Sequence, residues 1–237
     1  NKNFLSVLFL SGAILCFTAG WLSKQNVATL PLIVIGINYY FFSSQRSIRD
    51  FIKENRTFLI LFGLAGFAAL FFGASRLPSV GADKYSSLTY LATQVNAIPF
   101  YYLRLFLFPF NLNIDPDFPV FSSTGFALII ISVLIIIPLT FFFIKIQTEK
   151  KWMSFGLFWF FVTLAPTSSF IPLNELVSEH RIYLPSVGLC IVFATILLAS
   201  IKKIKSFLNF TRYDFIPEYS VLLLIILFFS LNAVNRN

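Results

Sequence analysis

Residues 128–144 carry no charged side chain, and the run they belong to is one of seven apolar stretches, at residues 4–22, 27–42, 58–74, 125–146, 152–171, 183–200 and 219–233, separated by short linkers except for the longer 75–124 segment. Each approaches the roughly 20 residues that an α-helix needs to cross a bilayer, provided the flanking polar side chains snorkel. Few other sequence features restrict a fold so strongly. In lipid the backbone must satisfy its own hydrogen bonds, which leaves helices or closed barrels, and runs of this length fit helices. Composition agrees: 57% of residues are hydrophobic, mean hydropathy is +0.82, and only 12% are charged, against about 25% in soluble domains. The expected fold is all-α, a polytopic transmembrane helical bundle of about seven spans forming one domain over residues 1–237. The start at Asn1 and the prompt entry into an apolar run suggest a piece of a longer protein.

The net charge of +8 is therefore read against topology and not as nucleic-acid binding. Linkers 43–57, 145–151 and 202–218 hold 4, 3 and 4 Lys or Arg residues, and with Lys2 they gather twelve of the eighteen basic residues on one side, as cytoplasmic loops do. Lys24, Arg76, Lys84, Arg104, Arg181 and Arg236 fall on the other side with Asp83, Asp115, Asp117, Glu175 and Glu179. This partition constrains residues 88–112, which contain Gln94, Asn96, Pro99, Arg104 and Pro109. A single crossing there would turn both later basic linkers outward. A re-entrant or interfacial hairpin bent near Pro99, on the extracytoplasmic face, is expected instead. The chain is thus expected to be an integral multi-pass protein of a bacterial inner membrane or its equivalent. The cytoplasmic linkers show no phosphate-binding loop and no metal-ligand spacing, which disfavours transport driven by an attached nucleotide site. Cys16 and Cys190 lie within apolar runs and read as buried small hydrophobes, not as a disulfide or a zinc site.

The outer face gathers the chemistry. Glu179, His180 and Arg181, with the only histidine at their centre, precede an apolar run that opens with Pro185, as first turns of helices do. A helix-anchoring charge cluster at headgroup level is one reading. The sharper one is an anion site in which Arg181 grips a phosphate while Glu179 or His180 handles a proton or orients a sugar hydroxyl. Lys24, in the short turn between the first two runs, is either a snorkelling anchor or a second cationic contact. Arg104 lies in an aromatic stretch where an isolated charge needs a partner, such as a bound phosphate or Asp115. Tyr183 joins Arg181, Lys24 and Arg104 as a candidate binding residue. Asp115 and Asp117 read as turn formers, with divalent-metal chelation as the alternative. No other cofactor is indicated. The 32 Phe and 9 Tyr read as lipid-facing surface and interface belt.

Four ordered blocks carry a resemblance: Gly-Trp-Leu-Ser-Lys-Gln-Asn-Val-Ala-Thr-Leu-Pro-Leu at 20–32, Tyr-Tyr-Leu-Arg-Leu-Phe-Leu-Phe-Pro-Phe-Asn-Leu-Asn-Ile-Asp at 101–115, Leu-Phe-Trp-Phe-Phe-Val-Thr-Leu-Ala-Pro-Thr-Ser-Ser-Phe-Ile-Pro at 157–172, and Ser-Glu-His-Arg-Ile-Tyr-Leu-Pro-Ser-Val-Gly at 178–188. Together they resemble the membrane half of GT-C glycosyltransferases, in particular the tetratricopeptide-repeat O-mannosyltransferases and their bacterial relatives. The resemblance implies transfer of a sugar from a polyprenyl-phosphate carrier to a protein or glycan hydroxyl on the outer face. It implies a lipid-linked donor, that acceptor and membrane lipids as partners, and no nucleic acid. It also implies a carboxylate base in the first extracytoplasmic loop, for which no acidic pair stands here, and a repeat domain that this chain lacks. The expected role is therefore the carrier-binding half of such a site. An O-antigen ligase or polymerase, a lipid-linked-glycan flippase and a structural membrane subunit are the alternatives.

Overall fold

The computed structural model describes residues 2–42, 48–56, 59–60, 84–110, 112–113, 116–121, 126–146, 150–168, 171–208 and 216–234. All of its described elements are helical. They are α1 (Lys2–Ser23), a 3-10 turn (Gln25–Thr29), α2 (Leu30–Ile37), which continues as a π-helical turn (Asn38–Phe42), and α3 (Ile48–Glu54). Then come α4 (Ser87–Ala97), a π-helical stretch (Ile98–Leu103), α5 (Arg104–Leu107), α6 (Phe126–Ile146), α7 (Lys151–Leu164), a 3-10 turn (Glu179–Ile182), α8 (Tyr183–Leu208) and α9 (Ile216–Val234). Among the described residues one helical stretch, Glu179–Lys203, is both long and apolar enough to cross a bilayer. The apolar run at 58–74 lies outside the described residues except for Leu59 and Ile60.

Pairwise contacts fix how the helices run. α7 and α8 are antiparallel and touch backbone to backbone: a Cβ on Gly188 would lie 2.2 Å from the Gly156 carbonyl oxygen, and one on Gly156 would lie 2.5 Å from that of Gly188. The Trp159 indole N–H donates to the Leu184 carbonyl at 2.9 Å, which sets the same register. α2 is antiparallel to α7 as well. Gly36 admits the Phe158 ring, and the Tyr40 and Phe41 rings meet Phe155 and Trp152 at 5.9 and 4.6 Å. Part of the aromatic wealth is thus internal packing between helices in edge-on or tilted pairs, where the ring quadrupoles favour contact. Lys150 and Lys202 come to one end of this bundle, while Leu164, Tyr183 and the start of α2 come to the other.

The segment expected to bend near Pro99 does not reverse there. Ser86 caps α4, its hydroxyl accepting the Thr89 N–H at 3.1 Å, and the backbone remains right-handed helical through Ile98 and Arg104 to Leu107. Proline lacks an N–H and crowds the carbonyl of the preceding turn. The helix absorbs this by widening to a π-helical stretch over Ile98–Leu103. The reversal comes instead at Phe108, where φ and ψ are −136° and 85° beside Pro109. From there the chain returns until the Phe121 N–H donates to the Thr93 hydroxyl at 3.0 Å. Behind it, Ser132 of α6 donates to the Asn96 side-chain oxygen at 2.8 Å, a buried pair that ties α6 to α4. The main core joins Tyr101, Tyr102 and Leu105 to Phe160 and Leu164 of α7 and to Val177, Ile182 and Leu189.

The two cysteines depart from expectation: Cys16 and Cys190 are exposed and unpaired by disulfide. They stand on outward helix faces among other exposed apolar side chains, Leu15 and Phe193 for example. An apolar run read linearly does not say which face of its helix is covered. α1, α6 and α9 likewise leave Phe9, Leu15, Leu134, Ile137, Leu224 and Leu231 largely exposed. Apolar surface of that extent marks contact with lipid or with another protein.

Candidate functional site

The described part of the connection from α7 to α8, residues 165–168 and 171–182, is largely irregular, and side chains hold it in place. Three of these come from α4 and α8's entry turn. The Tyr90 hydroxyl donates to the Thr167 carbonyl at 2.9 Å and the Gln94 amide to the Leu176 carbonyl at 2.6 Å. Arg181 supplies the rest: Nη1 donates to the Tyr90 oxygen at 3.2 Å, to the Leu176 carbonyl at 3.0 Å and to the Thr167 carbonyl at 3.5 Å, while Nη2 donates to the Glu175 carbonyl at 2.6 Å. Arg181 is only 5% exposed. Its charge is dispersed over carbonyl dipoles and one hydroxyl, which a planar, multiply donating guanidinium can reach at once and an ammonium cannot. Burial raises the Tyr90 phenol pKa more than the neighbouring Arg181 lowers it. The neutral phenol can therefore donate to Thr167 while accepting from Arg181.

The neighbours of Arg181 point elsewhere. Ser178 leads into the 3-10 turn in extended conformation, and its hydroxyl lies 2.7 Å from Nδ1 of His180. The Glu179 carboxylate accepts the backbone N–H of Asn113, which draws the returning 108–121 stretch over the turn. Glu179 and His180 then line a groove of about 500 Å³ with Tyr183 and Ser186 of α8. Its apolar walls are Leu105, Phe106, Ile182 and Phe229, so α5, α8 and α9 all contribute. The volume falls in the range of small-ligand sites. The polar groups all come from the 179–186 segment and the remaining lining is apolar, a combination suited to an amphipathic ligand.

The other candidate residues divide as follows. Tyr183 is 83% exposed and belongs to the groove. Arg104 is exposed, its guanidinium carbon 5.9 Å from the Tyr101 ring centroid, and it directly precedes the groove residue Leu105. Lys24 is exposed in the link between α1 and the first 3-10 turn, where its N–H donates to the Gly20 carbonyl at 2.8 Å. It stands toward the groove end of the bundle without lining the groove. Asp117 is exposed, and Asp115 lies outside the described residues. Among the described residues no group of three or more His, Cys, Asp or Glu side chains could hold a metal ion.

Tyr90, Gln94, Ser186 and Phe229 are the contributors that the sequence did not single out for this role. Gln94 carried a signal, as one of the few polar side chains within residues 88–112. Tyr90 and Phe229 carried none, being two among many aromatics. Comparison of the chain with protein-family models, with curated proteins and with solved structures returns no match.

Proposed function

We propose that the chain is the carrier-binding part of a multi-pass membrane glycosyltransferase of the GT-C kind, with its groove end on the extracytoplasmic face and its Lys150–Lys202 end toward the cytoplasm. The observation that carries this reading is the groove itself. Apolar walls from α5, the 3-10 turn and α9 adjoin a glutamate, a histidine and a serine of the 179–186 segment, a mixture that matches a polyprenyl chain ending in a phosphate-linked sugar. The prenyl chain lies along Phe106, Ile182 and Phe229. His180, whose Nδ1 is engaged with Ser178, presents Nε2 to a phosphate oxygen, and Glu179 orients a sugar hydroxyl. Arg104 is the nearest exposed cation in sequence to the groove wall and supplies the charge that a departing phosphate requires. Arg181 positions the turn and does not touch the carrier. The charge asymmetry of the linkers supports the orientation. The base that the resembling family takes from its first extracytoplasmic loop has no counterpart among these residues, so the chemistry is completed outside this set.

The test is a photoreactive polyprenyl-phosphate sugar applied to membranes carrying the chain, followed by peptide mapping. Labelling concentrated on Phe106, Tyr183 or Phe229, and reduced at least fivefold in His180→Ala, is expected. Labelling no greater than with a soluble sugar phosphate, or spread evenly over the helices, would overturn the reading. A structural membrane subunit is the second reading. It is favoured by the inward-facing, internally satisfied Arg181, and it predicts no such labelling.

A further inference from the structure

The opposite end of the same helix pair holds a second cavity. Beyond the Gly156–Gly188 crossing, α7 and α8 leave about 560 Å³ between them, with Lys150 and Lys202 at its mouth and Trp152, Ile191, Ala194 and Leu198 along its walls. Both lysines are exposed, and Lys151 and Lys203 stand next to them, also exposed. None of the described residues lining the cavity is acidic. Trp152 is 59% exposed while one face of its ring meets Phe41. An indole half in contact with apolar neighbours and half outside, level with lysines, is the arrangement favoured at a membrane–water boundary.

We infer that this cavity binds an anionic phospholipid, its phosphate between Lys150 and Lys202 and one acyl chain in the wall formed by Ile191, Ala194 and Leu198. The charge complementarity is local, because two exposed cations line a cavity whose remaining lining is almost wholly apolar. A soluble anion would leave that apolar wall unused, and a zwitterionic lipid would bring its own cation against the lysines. Basic pockets between helices on the cytoplasmic side are where anionic headgroups are held. The inference rests on the membrane embedding proposed above, and not on the sugar-transfer chemistry.

The experiment uses the intact purified chain in mild detergent, with native mass spectrometry to count bound lipid and phosphatidylglycerol and phosphatidylcholine of identical chains as probes. Wild type is expected to retain at least threefold more phosphatidylglycerol than phosphatidylcholine. In Lys150→Gln/Lys202→Gln the preference falls to parity. Ala194→Phe fills the wall while keeping both lysines, and should lower phosphatidylglycerol retention to the same degree, which decides the matter if the double variant does not fold. Equal retention of the two lipids by wild type, or wild-type retention in both variants, overturns the site. Displacement of phosphatidylglycerol by millimolar inorganic phosphate, with Ala194→Phe silent, overturns it in favour of a free-anion site. Carbonate extraction of membranes separates the two proposals: release of the chain refutes the embedding, whereas retention together with equal lipid binding refutes only this site.

Discussion

Replacing Arg181 separates two roles that one residue could play, and the structure sets the size of the effect. Arg181→Ala removes donors to the carbonyls of Glu175 and Leu176 at 2.6 and 3.0 Å and a longer contact to Thr167 at 3.5 Å, and it leaves the Tyr90 oxygen without its cation. Hydrogen bonds to a charged group contribute about 1.5–3 kcal/mol each, and a buried carbonyl left unpaired costs about 1–3 kcal/mol. The two short bonds alone suggest a loss of roughly 3–6 kcal/mol, from which relief of the guanidinium's desolvation subtracts. A net destabilisation of about 3 kcal/mol is expected, or a drop in Tm of roughly 6–12 °C for a chain of this size. Arg181→Lys retains the charge but reaches only one or two of the acceptors, and should recover less than half of the loss.

The assay is thermal unfolding in detergent alongside the binding of the polyprenyl-phosphate probe. If Arg181 is a strut, stability and probe binding fall together, and Lys restores less than half of either. Probe binding in that case returns when the assay is run well below the lowered Tm. Arg181→Ala that melts within about 1 °C of wild type while losing the probe, with Arg181→Lys restoring it, would refute the strut and return Arg181 to the phosphate.

Four further outcomes follow from other positions. Gly188→Ala places a methyl 2.2 Å from the Gly156 oxygen and 2.8 Å from the Phe160 nitrogen, both backbone atoms; overpacking of about 1–3 kcal/mol outweighs the helix-propensity gain of about 1 kcal/mol. Gly12→Ala, with nothing within 4 Å, keeps that gain and should melt no lower than wild type in the same scan. Glu179→Ala releases the Asn113 N–H, so amide exchange over residues 112–121 should speed by roughly tenfold or more while α7 and α8 stay protected. Ser132→Ala breaks the buried link to Asn96 and, with the membrane embedding proposed above, should cost about 0.6 kcal/mol, the typical size for a hydrogen bond between helices in a bilayer; a loss several times larger would mean that this pair organises α4.

The sequence made the helices legible because unbroken apolar length is a local property, and α6, α8 and α9 fall where those runs lie. Pro99 misled because proline is a local break signal whose cost the surrounding structure can absorb. One widened turn disposes of the missing donor, and the core contacts of Tyr101 and Tyr102 reward a helix that continues. Gly156 and Gly188 gave no warning, since their meaning lies in facing each other across two helices 32 positions apart in the chain. The direction taken by Arg181 was illegible for the same reason. Its acceptors come from 167, 175 and 176, in an irregular loop between Pro166 and Ser178 whose path no periodicity announces.

The turn that carries Glu179, His180 and Arg181 explains how three adjacent charged or titratable residues come to serve different purposes. A 3-10 helix has three residues per turn, so successive side chains leave it about 120° apart. One of three consecutive residues can then face the core, one a neighbouring segment and one the groove. Arg181 takes the core direction, where Tyr90 and the loop carbonyls already form an acceptor cage, Glu179 reaches Asn113, and His180 is left exposed at the groove. Had the entry to α8 been α-helical, successive residues would stand about 100° apart, and residues 179 and 182, which share a face in the 3-10 turn, would be offset by about 60°. Substituting Ser178 by Ala therefore tests the turn itself. It removes the hydroxyl partner of the His180 ring and should loosen His180 without moving Arg181, so probe binding should weaken severalfold while the Tm changes by no more than about 2 °C. Loss of stability comparable with Arg181→Ala would show that the three directions are not set independently, and that the turn and the cage form one unit.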